Sequence, residues 1–343
     1  MLYITTRDNR DAYTAQRVLR ENRGPDGGMY LPFRAPSFSR ADLEALGEKP
    51  FNQCVAELLN LLFNTKLSGW DVEFSAGRYP VRLVNLPQRI ILGECWHNPE
   101  WKFDRMVRSL AGQLRGGQPG ADGGWVKIAV GIGVLFGIFG ELMRAGIAGF
   151  DKKVDISVVS GDFDLPMSAW YARSWGLPIG KIICCCNENG NLWNLVHHGQ
   201  LRTDAVCVTT NTPDADVTLP SGLERLVFAC GGISEVEAYL DACRRGGIYC
   251  PAGGTLSRIG EGLEVSVVSS RRMESTISGV YASAGYLLSP YAALSYAGLL
   301  DYRGKTGESR HAVVLAEKSP ICDAGVTAKA LGISEEALEQ HFL

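Results

Sequence analysis

The feature that most constrains this chain is an alternation that begins at Asp155. Short β-branched runs and helix-compatible stretches follow one another: DISVVSG, MSAWYARSWG, KIICCCN, NLWNLVHHG, AVCVTTN. Apolar runs bounded by glycines and separated by helices of about ten residues are the pattern of parallel β-α-β units, with helices on both sheet faces. The three adjacent cysteines, Cys184, Cys185 and Cys186, fit an interior strand of that sheet. A last unit, Ser278 to Leu300 followed by HAVVLAEKSP, repeats the helix-then-strand order, and the tail closes on a helix with Ser334 as its N-cap.

Upstream, the apolar LYITT precedes a helix-compatible run, Ala12 to Glu21, which stops at the turn cluster Gly24 to Gly28. In Phe51 to Leu67, the residues Val55, Leu58, Leu59 and Leu62 share one helical face and predict core. The segment AGQLRGGQPGADGGW, ending at Trp125, has linker composition and marks a joint or a deletion. After it, Gly131, Gly133, Gly137 and Gly140 admit two readings. One is a helix whose small residues let neighbours approach; the other is a strand-Gly-x-Gly-helix dinucleotide site with Asp151 or Asp155 about twenty residues on. Ile128 to Gly140 falls short of the roughly 18 to 20 apolar residues of a membrane span and reads as a buried element.

The 343 residues carry 34 basic and 37 acidic side chains, a net charge of -3. That balance gives no footprint for nucleic acid or an anionic membrane surface. The start, MLYITTRDNR, lacks the basic and apolar regions of a signal peptide. Ten cysteines occur without C-x-x-C pairs or histidines at ligand spacing, so reduced thiols, no metal and a cytoplasmic location are expected. His197 and His198 before Gly199 read as a helix carboxyl end. The expected partner is a small-molecule ligand, another protein or a second copy of the chain.

Chemistry concentrates at SGDFDLP, Ser160 to Pro166, between the strand DISVV and the next helix. A glycine turn there collects backbone N-H groups and the positive helix pole, which suits a phosphate. Asp162 and Asp164 oppose it: a phosphate about 4 Å from a carboxylate meets roughly 1 kcal/mol of repulsion per charge pair in water and about 4 at an effective dielectric of 20. Helix capping and turn shaping are the other reading of these aspartates.

At this stretch the sequence resembles the threonine synthase family, whose pattern is S/T-G-N-F-G, a helix ending in G-L-P, a strand and T-N-x-N-D. ITTR and PDGGMYLP are similar to its opening S-T-R and D-G-G-L-Y-V-P. ECWHNPEWKFD, Glu94 to Asp104, is similar to E-L-F-H-G-P-T-L-A-F-K, and TPDADV and GLERLVF to S-x-x-M-D-I and N-x-E-R-L. GYLLSPYAALSYAGL and VVLAEKSP resemble G-Y-x-x-D/E-P-H-x-A and the late strand with its T-A-H-P turn. The resemblance implies an α/β fold of the second pyridoxal-phosphate (PLP) type, with a central mostly parallel sheet flanked by helices and a small N-terminal α/β domain. It implies an enzyme that uses PLP to convert O-phosphohomoserine to threonine. The implied units are 1–90, a lysine-helix remnant with the Gly-rich joint at 91–125, and a large domain at 126–343.

The departures fall on the implied chemistry. Aligned through His97 and Pro99, the Schiff-base lysine position holds Asp104, which cannot form an aldimine. Lys102, two residues away, is the candidate substitute, and His97 is the third candidate catalytic residue. The implied cofactor residues are Ser160, Gly161, Asp162, Phe163, Asp164 and Glu317, with Asp162 and Asp164 replacing Asn and Gly, and Glu317 replacing the hydroxyl residue opposite the pyridine nitrogen. Tyr291 and Ser319 stand at two histidine positions that imply substrate contacts. The mobile subdomain with its S-G-D-T-G motif is reduced or missing. The expectation is a non-catalytic paralogue with a binding or interaction role. The alternatives are a PLP lyase using Lys102 and a metal or carboxylate enzyme built on Asp104, Asp162, Asp164 and Glu317.

Overall fold

The computed structural model describes residues 1–76, 81–96 and 103–342. Its N-terminal part contains β1 (Leu2–Thr5), β2 (Tyr13–Thr14), α1 (Ala15–Val18), β3 (Tyr30–Pro32), α2 (Arg40–Leu46), α3 (Phe51–Phe63) and α4 (Gly69–Ala76). Then come β4 (Arg82–Leu86), β5 (Ile90–Glu94), α5 (Phe103–Leu114), α6 (Trp125–Arg144), β6 (Val154–Val159), α7 (Asp164–Ser174), β7 (Ile179–Cys186), α8 (Asn191–His198) and β8 (Leu201–Arg202). The chain closes with α9 (Leu223–Arg245), β9 (Ile248–Tyr249), α10 (Gly253–Gly262), β10 (Leu263–Val267), α11 (Ser270–Ala284), α12 (Pro290–Thr306), β11 (Ala312–Ala316), α13 (Ala324–Leu331) and α14 (Glu335–Phe342).

The alternation produces a six-stranded sheet in the order β10-β7-β6-β11-β5-β4. Its pairs are parallel except β4 on β5, which closes one edge as an antiparallel hairpin. Continuous apolar strands are required because both faces are covered. In β7, Ile182, Cys184 and Cys186 enter one core with α6, while Ile183 and Cys185 enter the other with α12. The cysteine triplet is thus interior strand, and all ten thiols are free. A smaller antiparallel sheet, β2-β1-β3, carries the start of the chain.

Between the two readings of the glycine-rich run, the structure gives one continuous helix, α6. A Cβ at Gly131 would lie 2.4 Å from Ser168 Oγ and one at Gly137 2.6 Å from the Phe51 ring, so these glycines serve close packing against α7 and α3. By length and composition α6 is apolar enough to cross a membrane, but it lies packed within the main core. Between α5 and α6 only residues 115–124 intervene, with no helix or strand of their own. Arg115 holds this joint together, donating to the carbonyls of Gln118 (2.8 Å) and Ala121 and pairing with Asp122 at 2.9 Å.

Two local expectations differ. Residues 12–21 form only the single turn α1, because Tyr13 and Thr14 pair with β1 instead. AVCVTTN is not a strand: the Asn189 side-chain amide takes both the N-H and the C=O of Val208, at 2.7 and 2.8 Å, and Asp216 takes the Thr210 N-H at 2.9 Å. Side chains there supply what a neighbouring strand would.

Candidate functional site

In a parallel α/β sheet the carboxyl ends of the strands open onto turns and helix amino ends, where ligands bind. Here the turn after β6 leads into α7 through Gly161 at φ 42° and Phe163 at φ 75°. Phe163 carries a side chain in the left-handed region, a conformation costing of order 1–3 kcal/mol, and the burial of its ring holds it there. The turn satisfies two of its donors itself. The Phe163 N-H donates to the Ser160 carbonyl at 2.8 Å, and the Asp164 N-H donates to Asp162 Oδ1 at 3.1 Å. The Asp162 carboxylate therefore fills part of the anion-seeking concavity that the backbone creates.

Above this turn lies a cavity of about 320 Å³, lined in part by Asp104, Lys127, Ser160, Gly161, Tyr291 and Glu317. Asp104 sits in the first turn of α5, whose start is tied to the end of β11 by the Phe103 N-H donating to the Glu317 carbonyl at 3.3 Å. Lys127 enters from the first turn of α6. Its Nζ lies 2.8 Å from Asp162 Oδ2 and 3.4 Å from Asp104 Oδ1, with the side chain 17% exposed. Burial pulls this amine downward, but the charge and hydrogen bond of Asp162, followed by Asp104, outweigh it and hold Lys127 above the ordinary lysine range.

Glu317, at the end of β11, faces the same space; burial pushes its carboxyl up to about 7, with the charges of Asp162 and Asp104 adding to the shift against the pull of Lys127. On the other wall, Lys318 pairs with Asp214 and lies 4.2 Å above the Tyr291 ring centre. The Tyr291 hydroxyl accepts the Asp214 N-H at 3.2 Å. The arrangement is two lysines, each pinned by aspartate, with one raised carboxyl between them.

Of the residues singled out in the sequence, Asp104, Ser160, Gly161, Asp162, Tyr291 and Glu317 converge on this cavity. Phe163 and Asp164 lie behind it. Asp164 is buried, its carboxyl pushed up to about 7 by burial and by Asp162, and its partner is the fully buried Arg225, 3.8 Å away. Ser319 is buried outside the lining and caps the helical turn at Pro320 by accepting the Ile321 N-H at 3.4 Å. His97 and Lys102 lie outside the described residues. Lys127, Lys318 and Asp214 were not anticipated. Lys127 had a signal, as the single charged residue between Trp125 and Gly140. Among the described residues no group of three His, Cys, Asp or Glu side chains is placed to hold a metal ion.

The molecule is an α/β protein with a mostly parallel sheet, one antiparallel edge, helices on both faces and a strand-turn-helix pocket at the carboxyl ends of its strands, and its fold is that of threonine synthase structures of the second PLP fold type. Superposition agrees: the PLP-bound threonine synthase from Brucella melitensis matches with a TM-score of 0.84 at 19% identity, covering 97% of this chain and 92% of that one. Yeast threonine synthase matches with a TM-score of 0.86 at 16% identity, over 96% and 90% of the two chains.

In sequence, residues 2–73 match the family model described as threonine synthase N terminus. A threonine synthase of Pseudomonas aeruginosa is 28% identical over 145 residues, 42% of this chain and 31% of the relative. Human threonine synthase-like 1 is 25% identical over 162 residues, 45% and 21% of the two lengths. The chain is thus threonine synthase-like in sequence and fold, and its matches to these relatives span less than a third of their lengths.

The residues present can be tested against the cofactor that this fold implies. PLP needs an amine that loses its proton readily and a cradle of free donors for a dianionic phosphate. Lys127 lies 3.4 Å from Asp104, the residue the resemblance puts at the lysine position, and two carboxylates hold it protonated. Of the cradle's donors, the Phe163 and Asp164 N-H groups are bonded within the turn, and the Asp162 carboxylate stands among them. The described residues do not fit PLP in the manner of the family.

Proposed function

We propose that this threonine synthase-like protein does not run the threonine synthase reaction and uses the same pocket to bind a small metabolite bearing an ammonium group, such as an amino acid. One observation carries the reading: Lys127 is clamped between Asp104, at the position the resemblance gives to the lysine, and Asp162, in the turn the resemblance gives to the phosphate, and its charge is spent on both. What remains is net acidic. Asp104, Asp162 and Asp214 face Lys127 and Lys318, and Glu317 adds negative charge as pH rises past about 7. A cation or zwitterion suits such a cavity; a second dianion does not. The Tyr291 ring and the half-buried walls provide the apolar remainder.

Calorimetric titration of the full chain with amino acids, and with the matching acids that lack the amine, tests this. Heat and thermal stabilisation from the amines alone are the expected result. Turnover of O-phosphohomoserine to threonine with added PLP would overturn the reading, as would binding of the deaminated acids as tightly as their amines.

A further inference from the structure

We propose that a second cleft, at the amino edge of the main sheet, binds a small polyphosphate of the chemical class of nucleoside di- and triphosphates. The parallel strands have a carboxyl edge, where the pocket described above lies, and an amino edge, where the residues just ahead of β5, β6, β7 and β11 line a cavity of about 1190 Å³. This is larger than the roughly 300–1,000 Å³ of a typical small-ligand pocket, leaving room for a phosphate chain together with a ring.

Its charge is one-sided. Arg89, Lys152, Lys153 and Arg173 line it and have no carboxylate partner among the described residues; Lys152 donates only to the Gly146 carbonyl, at 3.2 Å. Asp151 is the one acid in the lining. Asp155 and Glu308, the nearby carboxylates, are both taken by Arg310, whose Nη1 lies 3.3 Å from Asp155 Oδ1. This protein is net negative, so four cations without carboxylate partners around one concavity that has a single acid in its lining mark a place for an anion.

Three further details belong to the same cleft. In the Pro87–Gln88–Arg89 turn joining β4 and β5, Gln88 and Arg89 stand at φ 63° and 58°, in the left-handed region without glycine. Side chains rarely adopt that conformation, and here it belongs to the turn that presents Arg89 to the cleft. Phe150, 56% exposed, forms part of the wall, with the Arg40 guanidinium 5.4 Å from its ring centre adding a further cation beside the cleft. His311 also lines the cleft, its pKa lowered by burial and then by the charges of Arg89 and Arg303.

Titration of the full chain at low salt with inorganic tripolyphosphate and with ATP tests the assignment. Both are expected to bind with a dissociation constant below about 1 mM. Tighter binding of ATP would add the base to the site, and equal binding would restrict it to the phosphate chain. The double variant Arg89→Glu/Lys153→Glu changes two exposed residues, so it is expected to fold normally and to bind both probes at least tenfold more weakly. Arg173→Ala, from the opposite wall, is expected to give a smaller loss in the same direction. No binding of either probe would overturn the proposal, as would undiminished binding by the folded double variant. A short DNA duplex binding more tightly than both probes, and lost in the same variant, would also overturn it and make the cleft a nucleic-acid surface.

Discussion

The two edges of the sheet handle charge in opposite ways. At the carboxyl edge every lysine in the lining is answered by aspartate: Lys127 by Asp104 and Asp162, and Lys318 by Asp214. At the amino edge Arg89, Lys153 and Arg173 stand without such partners among the described residues. A fold does not leave like charges gathered around a concavity for stability's sake, whereas interlocked pairs hold each other in place without a ligand. The difference teaches that the carboxyl-edge pocket is internally satisfied, while the cleft at the amino edge carries the unsatisfied charge.

The comparison can be broken most forcefully behind the carboxyl-edge pocket. Arg225→Met removes the partner of buried Asp164, and breaking such a pair typically costs about 3–5 kcal/mol. Because the Asp164 carboxyl sits at about 7, it escapes part of that cost by taking up a proton. Chemical denaturation is expected to show a loss of about 3 kcal/mol at pH 8 that shrinks as the pH falls below about 7. A pH-independent loss would separate Asp164 from Arg225.

A smaller effect, of opposite sign, is expected from Glu317→Gln. The folded-state carboxyl is raised from 4.5 to about 7, so the native protein holds a proton the unfolded chain has released, and stability falls as pH rises from about 4.5 toward 7. Removing the ionisable group is expected to stabilise the protein by about 1–3 kcal/mol at pH 8 and to change little at pH 5. Equal melting shifts at both pH values would contradict the assignment of this carboxyl.

Lys127→Met leaves Asp104 and Asp162 facing each other without a cation. Both are half-exposed, at 62% and 49%, so water takes up much of the penalty and the expected loss is about 1–2 kcal/mol. The smallest effect is predicted at the other edge, where Arg89→Ala and Lys153→Ala are each expected to change stability by less than about 0.5 kcal/mol. A large loss from either would show that the amino-edge cations are structural, and the contrast would fail.

Much of the fold was legible because periodicity is local. The β-branched runs, the cysteine triplet and the helix Phe51–Phe63 each declare their faces within a few residues, and the alternation sets a parallel sheet with two cores. AVCVTTN misled for a physical reason: strand propensity says where an extended chain fits, but Asn189 and Asp216 reached its backbone first. The turn at Ser160 to Pro166 was legible as a place of conflict between backbone and side chain. Its resolution was not, because Lys127 meets Asp104 and Asp162 only once α5, α6 and the β6 turn have packed together. The amino-edge cleft was less legible still, since Arg89, Lys153, Arg173 and Arg310 are gathered by strand order from segments that share no motif.

The central claim is that the carboxyl-edge pocket is closed to PLP by its own ion pairs. The measurement that meets it most directly is titration of the full-length protein with PLP at neutral pH, followed by borohydride reduction and peptide mapping. The account predicts no stoichiometric reduced adduct in the pocket, only the scattered, substoichiometric labelling of exposed lysines. A stoichiometric adduct mapped to Lys127 or to Lys102 would contradict it.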